Sequence, residues 1–190
     1  THRFWIVTGA ALFLGAVLRL WGPLLGQPAW HPDEFNFVYW PLFLFSGNLN
    51  PQHTVSAFYP ALQYYLLGGL YAGYFLAQQL FGSSWSLREL VAFHFFWGAD
   101  DLLQLARLTS IAFSVGTVWW IAQLASRTYG KWPGLVAALL MSVCTVHIRQ
   151  SPLAAVDVPM TFWFVGAVWA AVRLLSKPSS KDYVLAGGLV

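Results

Sequence analysis

Charged residues are scarce in this sequence: Asp, Glu, Lys and Arg together make up only 9% of its 190 residues. Soluble domains carry roughly a quarter of their residues as charges, so the shortage argues against an ordinary soluble domain. The formal net charge is +3, which is too small to indicate a nucleic-acid-binding surface in so apolar a chain. We therefore expect no nucleic acid among the partners of this protein.

Cysteine is equally scarce, because the chain has only Cys144, which lies in an apolar run. A single cysteine cannot form a disulfide within the chain and cannot build a zinc–thiolate cluster. The sequence also lacks a glycine-rich phosphate loop, a nucleophile elbow and a zinc-binding helix motif. These absences argue against a phosphate-loop nucleotide-binding protein, a hydrolase with a nucleophile elbow and a zinc metalloprotease.

Hydrophobic residues are abundant instead: they make up 58% of the chain, and aromatic residues make up 18%. Long apolar runs bounded by aromatic side chains are typical of membrane-spanning helices. We therefore predict an all-α, polytopic bundle of transmembrane helices. The predicted spans are residues 4–25, 102–126, 132–146 and 158–175, with a further span from 183 onward. The chain starts without Met and ends inside an apolar run, so we expect it to be a piece of a longer protein.

Residues 26–101 are predicted to form one long outer loop that carries helices lying on the membrane surface. Residues 35–46 and 85–97 are too short to cross a bilayer and have the aromatic or amphipathic character of interfacial helices. Residues 58–81 are long enough to cross, but their tyrosines, glutamines and glycines make a poor span. This segment therefore either crosses the membrane or stays on one side of it, and the charges favour the second interpretation.

The charge distribution favours a segment 58–81 that does not cross. With the N-terminus in the cytoplasm, six basic residues then lie inside, namely Arg3, Arg127, Lys131, Arg173, Lys177 and Lys181. Six of the seven acidic residues lie outside, namely Asp33, Glu34, Glu89, Asp100, Asp101 and Asp157. This arrangement obeys the positive-inside rule, whereas a crossing at 58–81 would reverse the side of every later loop.

The first polar motif is "WHPDE", residues 30–34, which places the adjacent carboxylates of Asp33 and Glu34 just after the first span. A carboxylate beside apolar aromatic surface has a raised pKa, which suits a general base. Alternatively, Asp33 or Glu34 caps the helix predicted at 35–46.

The second motif is "VHIRQSPLAAVDVP", residues 146–159, which places His147, Arg149 and Asp157 between two apolar spans. Charges at membrane depth are expensive and usually functional. The Arg149 guanidinium offers paired donors that suit a phosphate. The alternative is that Arg149 and Asp157 neutralise each other.

Two further cations lie inside predicted spans. Arg107 is placed to meet a lipid phosphate, to pair with Asp100 or Asp101, or to extend towards the headgroups. Arg19 lies near the outer end of the first span, and we interpret it as an anchor whose charged end reaches the membrane surface.

In their order and spacing, these motifs resemble the N-terminal part of GT-C glycosyltransferases, nearest to the protein O-mannosyltransferase and aminoarabinose-transferase branch. The resemblance covers nearly all of residues 1–190. The segments that carry it are "HPDEFNFVYWPLFLFSGNLNP", "YPALQYYLLGGL", "ARLTSIAFSVGTVWWIAQLASRTYG" and "VHIRQSPLAAVDVPMTFWF". The branch typically has "PPL" where this chain has "YPAL".

The resemblance implies an integral membrane enzyme with its active site at the outer or luminal face. Such an enzyme moves a sugar from a polyprenyl-phosphate donor to the hydroxyl of an unidentified protein, lipid or glycan acceptor.

The resemblance also implies roles for individual residues. Asp33, with Glu34 beside it, would accept the proton of the acceptor hydroxyl while that oxygen attacks the anomeric carbon, with inversion. Asp157 would place the acceptor, the donor or a divalent metal ion, for which Asp33, Glu34 and Asp157 are the candidate ligands. The expected donor-binding residues are Arg107 at the lipid phosphate, Arg149 and His147.

A non-catalytic membrane protein of the same fold is the alternative, for example a lipid-sugar flippase, a transporter or a scaffold subunit. A transporter more often places polar groups in the middle of its spans, facing a pathway. In this sequence the polar motifs lie at the predicted outer edge, which favours chemistry at the membrane surface.

Overall fold

A computed structural model describes residues 2–25, 31–50, 61–82, 84–176 and 179–189. These residues form nine α-helices and one 3-10 helix, with no strand among them, which confirms the all-α prediction. The helices are α1 (His2–Leu25), α2 (Glu34–Tyr39), the 3-10 helix (Trp40–Ser46), α3 (Ala61–Leu80), α4 (Leu87–Phe96), α5 (Asp100–Tyr129), α6 (Lys131–Ser142), α7 (Thr145–Gln150), α8 (Asp157–Ser176) and α9 (Ser180–Leu189). Residues 58–60, which begin the predicted segment 58–81 and include part of "YPAL", lie outside the described residues.

Three of the described helices are long and apolar enough to cross a bilayer: Phe4–Trp21 in α1, Asp100–Tyr129, and Asp157–Leu175 in α8. Only 28%, 33% and 22% of their residues are buried inside the protein. Large apolar side chains such as Phe13 and Phe164 are exposed along them. Exposed apolar surface on this scale is unfavourable in water but suits contact with lipid chains. The protein is therefore an integral membrane protein.

The run 132–146 is not one continuous helix, because α6 ends at Ser142 and a turn at Val143 and Cys144 separates it from α7; whether the run crosses the membrane stays a prediction. The 12 residues of α6 rise by about 18 Å. The hydrocarbon core of a bilayer is about 30 Å thick. The side chain that bonds the carbonyl groups at this break comes from Arg19 in α1, so the local sequence contains no sign of it.

The segment predicted not to cross, 58–81, forms α3 over the residues that are described. Its 20 residues would be long enough to cross, but α3 is not among the three helices that are also sufficiently apolar. Gln63, Tyr64 and Tyr71 are buried in protein, not turned towards lipid. This agrees with a helix that stays on one side of the membrane, while the sidedness itself stays a prediction.

Cysteine labelling tests the predicted topology. In a Cys144→Ala background, we expect an impermeant maleimide added to sealed vesicles to label Ser84→Cys from the outer side. Labelling of Ser180→Cys is expected only after permeabilisation, because α9 would begin on the cytoplasmic side. Both positions are exposed, so accessibility depends on the membrane alone. Labelling of position 180 from outside would overturn the predicted topology, because either 58–81 would cross or the run 132–146, where α6 has only 12 residues, would not.

The chain divides into two compact units. One consists of Thr1–Pro28, Ser110–Pro152 and Asp157–Val190, and the other of Ala29–Thr109 and Leu153–Val156. In the first, α1 packs on α6 around small residues such as Ala11 and Ala138. Gly134 lets α6 approach α5 closely, since a Cβ at this position would lie only 2.9 Å from the carbonyl oxygen of Ala122. Close approach of two helix backbones at small residues is a common way to pack helices in membranes.

The second unit has an aromatic core that supports the first polar motif. Phe37, Tyr64, Tyr71 and Phe75 are each no more than 1% exposed. The hydroxyl of Tyr71 lies 3.3 Å from the carbonyl oxygens of both Phe37 and Leu102, so α2, α3 and α5 share one buried polar contact. This core fixes α2 against the beginning of α5, the two elements from which the candidate site is built.

Candidate active site

The "HPDE" motif forms a tight turn that leads into α2. The amide of Glu34 donates to the carbonyl oxygen of His31 at 3.0 Å, which closes the turn around Pro32 and Asp33. Proline suits the second position of such a turn because its ring fixes φ near −65°. The motif is therefore a defined backbone structure and not a solvated loop.

Glu34 is completely buried, and its carboxylate holds the turn to two other parts of the second unit. Arg107, also completely buried, donates from Nε to Oε1 and from Nη2 to Oε2, both at 2.7 Å. The amides of Ala154 and His31 donate to the same two oxygens at 2.9 Å each. Four donors thus meet the roughly four lone-pair positions of one carboxylate.

The electrostatics of this pair keep Glu34 ionised. Burial by itself raises the pKa of the Glu34 carboxyl. The hydrogen bonds from Arg107, together with those from the amides of Ala154 and His31, outweigh burial and hold that pKa below its ordinary value. A buried carboxylate with these partners is a structural ion pair, and it has no lone pair left to accept a proton from a substrate.

This ion pair makes stability depend on pH in one direction. Because the pKa of Glu34 is lower in the folded than in the unfolded protein, its contribution is fully present above the unfolded pKa, about 4.3. The contribution is lost as the pH falls through the lower, folded value. We therefore expect the unfolding midpoint in a denaturant titration to fall between pH 5 and pH 3. The fall should be smaller in Glu34→Gln, and equal slopes in the two proteins would contradict this assignment.

Asp33, the other acid of the motif, has a different environment. Its side chain is 48% exposed, and it makes no capping hydrogen bond to α2. The His31 ring is its neighbour, with Nδ1 3.6 Å from Oδ2 of Asp33. The alternative that Asp33 caps the helix is thus wrong, and its carboxylate is accessible from outside the protein.

The second motif is less compact. Arg149 is exposed on α7, and Asp157 is exposed at the first residue of α8. No ion pair joins Arg149 to Asp157 in the part of the chain that the structure describes, so they do not neutralise each other. His147 is half-buried and contacts Arg19 and Ser114 in the first unit.

Comparison with known protein families matches residues 95–190 to the dolichyl-phosphate-mannose-protein mannosyltransferase family. The match covers half of the chain and includes Arg107, Ala154 and Asp157. The chain belongs to this family. Its members are membrane glycosyltransferases of the GT-C type, as the sequence predicts. None of the curated proteins and none of the solved structures compared with the chain matches it.

The "HPDE" turn precedes the part of the chain that matches the mannosyltransferase family. The structure nevertheless ties it to that part, because Glu34 is bonded to Arg107 and to Ala154, which both lie within residues 95–190. Residues 153–156 are thereby held to the turn that carries Asp33, within the second unit.

The divalent metal ion expected at Asp33, Glu34 and Asp157 finds no support in the described residues. The oxygens of Glu34 are already occupied by Arg107, Ala154 and His31, so Glu34 does not fit as a metal ligand. Within the described residues no three His, Cys, Asp or Glu side chains form a group suited to a metal.

Two contacts of this site were not predicted from the sequence. Arg107 pairs with Glu34, and neither Asp100 nor Asp101 is its partner. Arg19 does not extend to the membrane surface: it is 1% exposed and bonds the end of α6 and His147. Each of these two arginines lies inside an apolar helix, and a charge at such a position favours a buried partner. The sequence does not identify that partner.

Proposed function

We propose that this protein transfers a sugar from a polyprenyl-phosphate donor to an acceptor hydroxyl at the outer or luminal membrane face, with Asp33 as the general base. One observation carries the proposal. The "HPDE" turn leaves the side chain of Asp33 48% exposed, whereas the carboxylate of its neighbour Glu34 is completely buried and accepts four hydrogen bonds. Family membership supports the reaction class.

In the proposed reaction, Asp33 accepts the proton of the acceptor hydroxyl while that oxygen attacks the anomeric carbon. The bond from the anomeric carbon to the phosphate oxygen breaks, and polyprenyl phosphate leaves with the electron pair. A single displacement of this kind inverts the anomeric centre. A base in hydrogen-bond reach of the attacking hydroxyl contributes about 10²–10⁴-fold to the rate.

The two adjacent acids divide the work in this proposal. Glu34 is a positioning residue that acts through the turn, because Arg107 and Ala154 occupy its carboxylate. Because its guanidinium is paired with Glu34, Arg107 is not our candidate for the lipid phosphate. The exposed cation Arg149 is a better one, since its guanidinium is accessible and would stabilise charge on the leaving phosphate. Asp157, also exposed, is proposed to help place the acceptor or the donor.

The donor class can be tested with the purified protein in proteoliposomes. We expect protein-dependent release of polyprenyl phosphate from a radiolabelled polyprenyl-phosphate mannose, coupled to transfer of the sugar to an acceptor. A nucleotide-activated mannose in place of the lipid donor should give no transfer. If the labelled lipid crosses the bilayer with its sugar intact and no transfer occurs, the flippase alternative would replace this proposal.

A further inference from the structure

A buried polar cluster lies where α6 ends and α7 begins, in the first compact unit. Its central residue is Arg19, which lies in the C-terminal third of the apolar helix α1 and is 1% exposed. A charged residue at such a position requires compensating partners, because an unpaired polar group in an apolar environment is costly. The partners of Arg19 show what the cluster does.

All five N–H donors of the Arg19 guanidinium have an acceptor. Nε donates to the hydroxyl of Ser114, and Nη1 donates to the carbonyl oxygens of Gly15 at 2.9 Å and Ser142 at 3.0 Å. Nη2 donates to the carbonyl oxygen of Met141 at 3.2 Å and lies 3.0 Å from Nδ1 of His147. Arg19 therefore bonds carbonyls at the end of α6, which have no partner within that helix.

The contact with His147 fixes the position of the imidazole proton. A guanidinium can only donate, so Nδ1 of His147 must accept and the ring proton lies on Nε2. Ser114 also lies 3.0 Å from Nδ1, and its hydroxyl lies 2.6 Å from that of Ser151. The serine pair and Arg19 thus hold the ring from one side.

On the other side of the ring, Nε2 of His147 is buried and has no partner in the part of the chain that the structure describes. No carboxylate in the described part of the chain lies within ion-pair distance of Arg19, so its positive charge stays uncompensated. A buried N–H donor beside an uncompensated cation suits an anionic oxygen.

We propose that Arg19 is a positioning residue that holds His147 as an Nε2–H donor for an anionic oxygen of the substrate. The identity of that oxygen rests on the proposed function: the phosphate of the lipid-linked donor is the anion that the reaction supplies. Arg19 itself does not touch the substrate, because all its donors are already used. It acts by fixing both the break after α6 and the tautomer of His147.

The tautomer can be measured without any activity. We expect ¹⁵N spectra of histidine-labelled protein in nanodiscs to show one Nε2–H resonance pair for His147, assigned among the five histidines by its loss in His147→Gln. In Arg19→Met this single tautomer should be replaced by a mixture. The exposed Arg127→Met, at the end of α5, is the control and should leave the spectrum unchanged. If Arg19→Met does not fold, Arg19→Lys provides the comparison, because a lysine cannot reproduce the fork of the guanidinium.

A second experiment measures KM for the lipid-linked donor. Arg19→Met and His147→Leu should each raise KM for polyprenyl-phosphate mannose by about tenfold or more, the scale of one hydrogen bond to a charged group. The double variant should have a KM no higher than that of the worse single variant, because both substitutions remove the same contact.

An unchanged His147 tautomer in the Arg19 variant, or effects on KM that multiply, would overturn the proposal. Absence of sugar transfer in the wild-type protein would instead reject the proposed function, and the spectra would still decide the role of Arg19.

Discussion

Glu34→Gln and Arg107→Met are each expected to lower the free energy of unfolding by about 3–5 kcal/mol, the usual cost of leaving one member of a buried ion pair alone. Both side chains are completely buried, and their two hydrogen bonds of 2.7 Å are parallel. Removing either partner leaves the other charged in an apolar core. The measurement is unfolding by denaturant titration in detergent micelles.

Two comparisons make this result specific to the ion pair. The double variant Glu34→Met with Arg107→Met should be more stable than either single variant, because it leaves no buried charge unpaired. Glu89→Gln is the matched control: Glu89 is exposed and caps α4 together with Ser86, a role that glutamine also performs. Its effect should be much smaller than the effect at position 34 or 107. Equal losses at positions 34 and 89 would contradict the structural role of the Glu34–Arg107 pair.

Asp33→Asn has the largest expected effect on activity. We expect the rate of sugar transfer to fall by about 10²–10⁴-fold, because an amide has the shape of the carboxylate but cannot accept the proton of the acceptor hydroxyl. The free energy of unfolding should stay within about 0.5 kcal/mol of the wild-type value, since Asp33 is half-exposed and does not cap α2. The two readouts together separate a catalytic role from a structural one.

The control for this substitution is Asp100→Asn. Asp100 is an exposed acid in the first turn of α5, so the change removes one negative charge outside the "HPDE" turn. The transfer rate of this variant should equal that of the wild type within about twofold. A wild-type rate in Asp33→Asn, with the fold intact, would show that Asp33 is not the base.

The sequence was sufficient to predict the membrane-spanning helices, because they depend on local composition. The apolar runs at 4–25, 102–126 and 158–175 correspond to α1, α5 and α8. The break in the run 132–146 was not predicted, because it involves carbonyl groups bonded by Arg19, which is far away in the sequence. Hydrophobicity indicates that a segment lies away from water but does not show whether its helix is continuous.

The sequence indicated which residues belong to the candidate site, but not which of them bond to each other. The adjacent acids Asp33 and Glu34 have the same chemistry and the same sequence environment, yet one is half-exposed and the other is completely buried. Their difference arises from Arg107 and Ala154, which the fold brings to Glu34 from distant positions. Only the three-dimensional structure separates the proposed base from the residue that positions it.

The configuration of the transferred sugar tests the proposed mechanism most directly. With a polyprenyl-phosphate donor of known anomeric configuration, the ¹H NMR spectrum of the first product formed by the wild-type protein shows which face of the sugar was attacked. If Asp33 acts as a base in a single displacement, the product must carry the inverted configuration. A product with retained configuration would require two displacements and a covalent sugar–enzyme intermediate, and would contradict the role proposed for Asp33.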